Sequence, residues 1–250
     1  MEVLSSISPK GCGGDRGYRR LLNPKGLRTF QVRVKETDLW IAAERDLSRE
    51  ALEEVLRLRG QLEAYILENP DFLESLHPLP LDSLAPPVVR LMLEVAQKAG
   101  VGPMAAVAGA LSEFVGRRLL EFSNEVVVEN GGDLFIRSSH PRRVLLYAGD
   151  SPLSMKLAIE IPPGEAVGVC TSSATVGHSL SFGKADAVCV ISPSSALADA
   201  VATMLGNMVR TPRDIPKALR KAREIDGVEG ALIVLGGRLG VWGKYELKEV

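Results

Sequence analysis

The chain has 250 residues, 46% of them hydrophobic, and its 30 basic and 31 acidic side chains leave a formal net charge of −1. That composition fits one large globular domain and gives no reason to expect nucleic acid or an anionic membrane surface as the main partner. No run of about 18 apolar residues offers a membrane span, and the opening MEVLSSISPKGCGGDRGYRR lacks a signal peptide's apolar core, so the cytoplasm is the expected location.

Residues 1–27 are rich in Gly and Ser and read as a flexible tail ahead of a single domain over 28–250. Arg28 to Ala43 alternates apolar and polar residues on both sides of Lys35-Glu36-Thr37-Asp38, which predicts a β-hairpin. Ser48 is placed to cap a helix running to about Glu68, with Leu52, Val55, Leu56, Leu62 and Ile66 along its apolar stripe. Asn69 to Pro87 carries Pro70, Pro78, Pro80, Pro86 and Pro87 and reads as a connector. A helix over Val88 to Lys98 stops at Gly100. A third, Met104 to about Glu121, opens with Pro103 in its first turn and begins with the small-residue run MAAVAGALSEF.

From Asn124 the pattern turns to strands. Glu125–Val128 and Leu134–Arg137 flank Glu129-Asn130-Gly131-Gly132-Asp133, and Asn-Gly between β-runs signals a hairpin. Arg142–Ala148, Met155–Ile161 and Ala166–Thr171 read as further strands, and Ala187–Ile191 as a buried one. Ser194 or Ser195 then caps a nearly all-apolar helix over Ala196 to Asn207. Pro212 to Arg223 is a short helix, and Ala231–Leu235 and Val241–Leu247 close the chain as a hairpin around Gly236 to Gly240. Helices and strands come in blocks, so the expected fold is α+β with a largely antiparallel sheet packed with helices.

Three places could carry chemistry. On the helix over Ala196 to Asn207, Asp199 and Thr203 stand four apart and project from one face. A buried carboxylate needs a partner, and a hard cation such as Mg²⁺, with one or two carboxylates plus phosphates and water, would supply it. The spacing fits equally well an Asp favouring the helix start and a Thr bonding back to a carbonyl. In CTSSATVGHSLSFGK (Cys170 to Lys184), the hydroxyls and backbone N–H groups of Thr171, Ser172 and Ser173 could hold phosphate oxygens. His178 in that loop could serve as an acid–base group, or simply be exposed. The third place is the NGGD turn.

Cys12, Cys170 and Cys189 share no metal-ligand spacing, and the latter two read as core thiols. HExxH, GxxxxGK[ST] and GxSxG are all absent, and Gly11-Cys12-Gly13-Gly14 precedes no strand–helix unit.

Taken in order, GPMAAVAGALSEFVG (Gly102 to Gly116), NGGD (Asn130 to Asp133), CTSSATVGHSLSFGKADAV (Cys170 to Val188) and SALADAVATMLG (Ser195 to Gly206) resemble the ApbE superfamily of FAD:protein FMN transferases. More closely, the chain is similar to a compact prokaryotic branch of that superfamily. The likeness covers about Gly100 to Asn207, with the final hairpin included. It implies a T-fold-like α+β architecture. Asp199-Ala200-Val201-Ala202-Thr203 matches the transferases' D-A-x-A-T helix, whose Asp and Thr help to bind Mg²⁺ beside the FAD pyrophosphate. NGGD matches their N-x-G-G-D turn, which puts Asn130, Gly131, Gly132 and Asp133 at the flavin.

The resemblance has departures. The transferases' A-K-G corresponds to Val107-Ala108-Gly109, which keeps the small residues Ala108 and Gly109 but has no lysine. Their H-x-x-D-P-R-T-G loop has no full counterpart, and only His178 with Ser179 stands in that region. The implied activity is Mg²⁺-dependent cleavage of the FAD pyrophosphate, passing FMN to a Ser or Thr of an acceptor protein or to water. The alternatives are a non-catalytic flavin- or nucleotide-binding protein of the same fold, and a purely structural domain. A long apolar helix and a sheet edge are features that a homodimer could use.

Overall fold

The computed structural model describes Leu4–Ser5, Pro24, residues 26–174 and residues 182–250. The elements run in the order β1 (Leu4–Ser5), β2 (Arg28–Val34), β3 (Thr37–Ala43), α1 (Ser48–Glu68), α2 (Asp71–Glu74), α3 (Pro87–Ala99) and α4 (Val107–Leu119). After them come β4 (Val126–Asn130), β5 (Asp133–Arg137), β6 (Arg142–Leu145), β7 (Leu157–Ile161), β8 (Val167–Ser172), β9 (Ala187–Ser192) and α5 (Ser195–Met208). The chain closes with α6 (Ile215–Arg223), β10 (Gly230–Leu235), β11 (Arg238–Gly243) and β12 (Glu246–Glu249).

Three layers result. An eight-stranded sheet in the order β11-β10-β9-β8-β5-β4-β3-β2 forms the middle, and every neighbouring pair in it is antiparallel. Its side chains alternate with the strand period of two. Leu39, Ile41, Val126, Val128, Phe135, Cys170, Val188, Val190 and Ile233 face the helices. Trp40, Val127, Leu134, Ile136, Val169, Cys189 and Leu232 face a second sheet of order β1-β6-β7-β12. A buried ion pair, Arg142 Nη2 to Glu125 Oε2 at 2.6 Å, ties β6 to the residue just before β4.

The expected α+β class with a largely antiparallel sheet is the one observed, and among the described residues only the short β1–β6 pairing is parallel. Most of the proposed flexible tail lies outside the described residues. Three local expectations are corrected. Ser48 is not a cap: it is the first residue of α1, and its N–H donates to Asp46 Oδ1 at 2.9 Å. The buried stripe of α1 runs through Ala51, Val55, Leu58 and Leu62, while Leu52 and Leu56 are exposed, so the buried face is partly out of phase with the expected one. At the C-terminus the hairpin is tighter than expected. Gly236, at φ 58°, and Gly237 make a two-residue turn, and β12 crosses to pair with β7 in the second sheet.

α5 is the centre of the helical layer. Its start is capped by Ser194, whose Oγ accepts from Leu197 N–H at 3.3 Å. It packs on β8 and β9 beneath and on α3 and α4 beside it, which is why Ala196 to Ala198, Ala200 to Ala202, Met204 and Leu205 are all buried. Among the described residues no single helix is long and apolar enough to cross a membrane.

Candidate functional site

The β4–β5 hairpin sets the first wall of the site. Asn130 pairs with Asp133 across a two-residue turn, and Gly131 (φ 68°) and Gly132 (φ 116°) adopt the positive φ that such a turn demands. Glu129 Oε1 accepts from Gly132 N–H at 2.9 Å and holds the turn closed. By strand alternation Asn130 and Asp133 share the helix-facing side with Val128 and Phe135. Asn130 Nδ2 donates to the Ala108 carbonyl at the start of α4, at 3.2 Å.

α4 and α5 form the second wall. Asp199 Oδ2 accepts from Gly109 N–H at 2.9 Å. Only glycine permits this approach, because a Cβ on Gly109 would lie 2.3 Å from Ser195 O and 2.8 Å from Asp199 Cβ. Thr203 is partly exposed one turn further along α5. Gly206 continues the stripe, with Ser172 Oγ 3.5 Å from where its Cβ would stand.

The electrostatics of this junction are unfavourable for the protein alone. Burial pushes Asp199 up to about 7, against the lowering effect of the Gly109 and Ala108 N–H groups. Asp133 is raised well above the usual carboxylate range, first by burial and then by the charge of Asp199. Cys170, the strand partner of Asp133 on β8, is raised by burial and by the same two carboxylates. Asp133 Oδ1 is buried with no hydrogen-bond partner. A divalent cation with oxygen ligands fits this set: it would neutralise two carboxylates and draw further ligands from a hydroxyl, phosphates and water. Among the described residues no group of three or more His, Cys, Asp or Glu side chains converges as a metal cage, so such an ion would depend on those additional oxygens.

The structure therefore brings Asn130, Gly131, Gly132, Asp133, Ala108, Gly109 and Asp199 together, with Thr203 and Ser172 further along the α5 stripe. It does not bring the Thr171 side chain there. Thr171 pairs with Cys189 and has the strand parity of Val169, so it faces the second sheet. Ser173 is buried at the end of β8. His178, the candidate acid–base residue, lies outside the described residues.

Glu113 is a positioning residue that the sequence pattern does not single out. Its Oε2 accepts from Ser194 Oγ at 2.7 Å and from Ala196 N–H at 3.3 Å, while Oε1 takes Arg117 Nε at 3.0 Å and Nη2 at 2.9 Å. A carboxylate from α4 thus anchors the start of α5, the helix that carries Asp199. In the sequence, Glu113 and Arg117 look like an ordinary i,i+4 surface pair. The available signal was a lone acidic residue inside a run of small apolar ones.

Comparison with known proteins gives the family of the chain and the fold it shares with solved structures. A family model described as AbpE bacteria matches residues 19–241. A UPF0280 protein of Methanococcus aeolicus is 43% identical over 196 residues, covering 76% of this chain and 79% of its own. One from Methanocella arvoryzae is 40% identical over 219 residues, covering 87% and 89%. Among solved structures, the flavin transferase ApbE from Vibrio cholerae superposes with a TM-score of 0.60 at 12% identity, over 87% of this chain and 97% of that one. The Pseudomonas stutzeri flavinyl transferase ApbE, apo form, gives 0.57 at 15% identity, over 89% and 94%. At these identities the structural likeness is one of fold.

Proposed function

The chain belongs to the AbpE bacteria family, and from that premise we propose that it binds FAD with a divalent cation at Asp199 and cleaves the flavin nucleotide's pyrophosphate. The observation that supports this reading is the junction of Asp199, the Gly109 N–H and the buried Asp133 at the β4–β5 turn. The NGGD turn and the Ala108-Gly109 start of α4 would line the flavin side, and Asp199 with Thr203 would hold the cation. A bound Mg²⁺ would offset the diphosphate charge and stabilise the leaving phosphate oxygen.

In the reaction, a Ser or Thr hydroxyl of an acceptor protein, or water, forms a new P–O bond to the FMN phosphorus. The bridging P–O bond breaks, AMP leaves with the bridging oxygen, and the hydroxyl proton passes to a base, for which His178 is the candidate. Asp199 is kept in position by the Gly109 N–H. Glu113 keeps α5 in register against α4.

A second reading, a flavin-binding protein without turnover, is favoured by Val107-Ala108-Gly109, where the transferases carry a lysine, and by the missing Pro-Arg-Thr-Gly run. Incubating the protein with FAD, with and without Mg²⁺, and resolving FAD, FMN and AMP by chromatography separates the two. AMP release that requires both Mg²⁺ and Asp199, the latter tested with Asp199→Ala, supports the enzyme. FAD retained without turnover supports the binding protein. Neither binding nor turnover overturns both.

A further inference from the structure

We propose that Asp133 is the second carboxylate ligand of the cation held by Asp199, so that the site grips its metal between the β4–β5 turn and α5. The proposal rests on the reading of Asp199 as a cation ligand.

Asp133 is only 8% exposed, and its Oδ1 has no hydrogen-bond partner although the atom is buried. A buried polar oxygen without a partner is costly, and a carboxylate oxygen more so. Strand alternation turns the side chain to the helix layer, towards Asp199. The neighbouring charge that bears on it most strongly is therefore another carboxylate. Glu129, the other nearby acid, adds to the negative field. Against that field stand hydrogen bonds from the Cys170 thiol and the Thr171 N–H, both of them neutral donors. A dication at this junction satisfies the orphan oxygen and removes the repulsion together.

The turn chemistry is consistent with this role. Asn130 and Asp133 face each other across Gly131-Gly132. Asn130 is fastened to the Ala108 carbonyl, so the turn that carries Asp133 is fixed to the start of α4, whose Gly109 holds Asp199. The two carboxylates are thereby held in register through one continuous set of contacts, as a site built on rigid elements requires.

The test uses the full chain and Mn²⁺, alone and with ADP, with free Mn²⁺ counted by its electron paramagnetic resonance signal. Asp133→Asn and Asp199→Asn should each weaken Mn²⁺ binding by about tenfold or more, since even partners behind the ligands matter at that level. Circular dichroism checks that the Asn variant folds. Asp133→Cys gives a readout that a structural role would not move: a thiolate in the ligand shell should raise the ratio of Cd²⁺ to Mn²⁺ affinity about tenfold or more. Wild-type affinity in Asp133→Asn beside a loss in Asp199→Asn, or an unchanged Cd²⁺ to Mn²⁺ ratio in Asp133→Cys, would overturn the proposal and leave the single-carboxylate reading standing. No Mn²⁺ uptake by the wild type, with or without ADP, would overturn both.

Discussion

Gly109 and Asp199 touch twice: the Gly109 N–H donates to Asp199 Oδ2 at 2.9 Å, and a Cβ on Gly109 would stand 2.8 Å from Asp199 Cβ. The close approach and the hydrogen bond therefore depend on the same missing side chain. Gly109→Ala must push α4 away from Ser195 and Asp199. It should cost about 1–3 kcal/mol of stability by urea unfolding, as overpacking of a tight core does, and should weaken divalent cation binding. Unchanged stability and cation affinity would show that the two helices can separate at no cost.

Asp199 gives a pH prediction with a definite sign. Its carboxyl is pushed up to about 7 in the folded protein, against about 4 in an unfolded chain. Between those values the folded state binds more protons than the unfolded one. The contribution of this group is therefore fully present below about pH 4 and is lost as pH rises through about 7. Without metal, the stability of the wild type relative to Asp199→Asn should fall from pH 4 to pH 7 and level off above. Saturating Mg²⁺ should flatten that decline. Urea midpoints across the range measure it, and a relative stability that rises with pH would contradict the assignment.

Glu113 should matter out of proportion to its place in an apparent surface pair. Glu113→Ala removes the acceptor of Ser194 Oγ and Ala196 N–H and leaves them without their ionic partner. The expected loss is about 2 kcal/mol in urea unfolding. Glu113→Gln, which keeps an acceptor oxygen, should lose less. Equal losses would mean that the charge and the hydrogen bonds contribute nothing separable.

The two core thiols should be inert. Cys170 and Cys189 are buried, and burial pushes Cys189 up to about 12 and Cys170 well above its ordinary value. Since the thiolate is the reactive form, an aromatic disulfide reagent at pH 8 should label neither residue until urea is added, as peptide mapping would show. Rapid labelling of either one in the native protein would place it at an accessible surface.

Much of this architecture is legible in the sequence because its signals are local. The 28–43 alternation, the Asn-Gly turn and the serine cap ahead of the apolar run from Ala196 each depend on residues close together in the chain. They predicted β2–β3, the β4–β5 hairpin and the helix α5. What was not legible depends on contacts far apart in the chain. Thr171 was grouped with Ser172 and Ser173 by composition, yet strand parity turns its side chain to the second sheet. Glu113 reaches Ser194 and Ala196, some eighty residues away. Leucine occurs on both faces of α1, so the pattern places Leu52 and Leu56 in the core, whereas packing leaves them exposed.

The central claim is that Asp199 holds a cation against the pyrophosphate of a bound flavin nucleotide. The most direct measurement is a flavin-fluorescence titration of FAD at increasing Mg²⁺, for the wild type and for Asp199→Ala. The account predicts FAD affinity that rises with Mg²⁺ in the wild type, by about tenfold or more at saturation, and no such rise in the variant. FAD affinity independent of Mg²⁺ in the wild type, or an equal Mg²⁺ effect in Asp199→Ala, would contradict it.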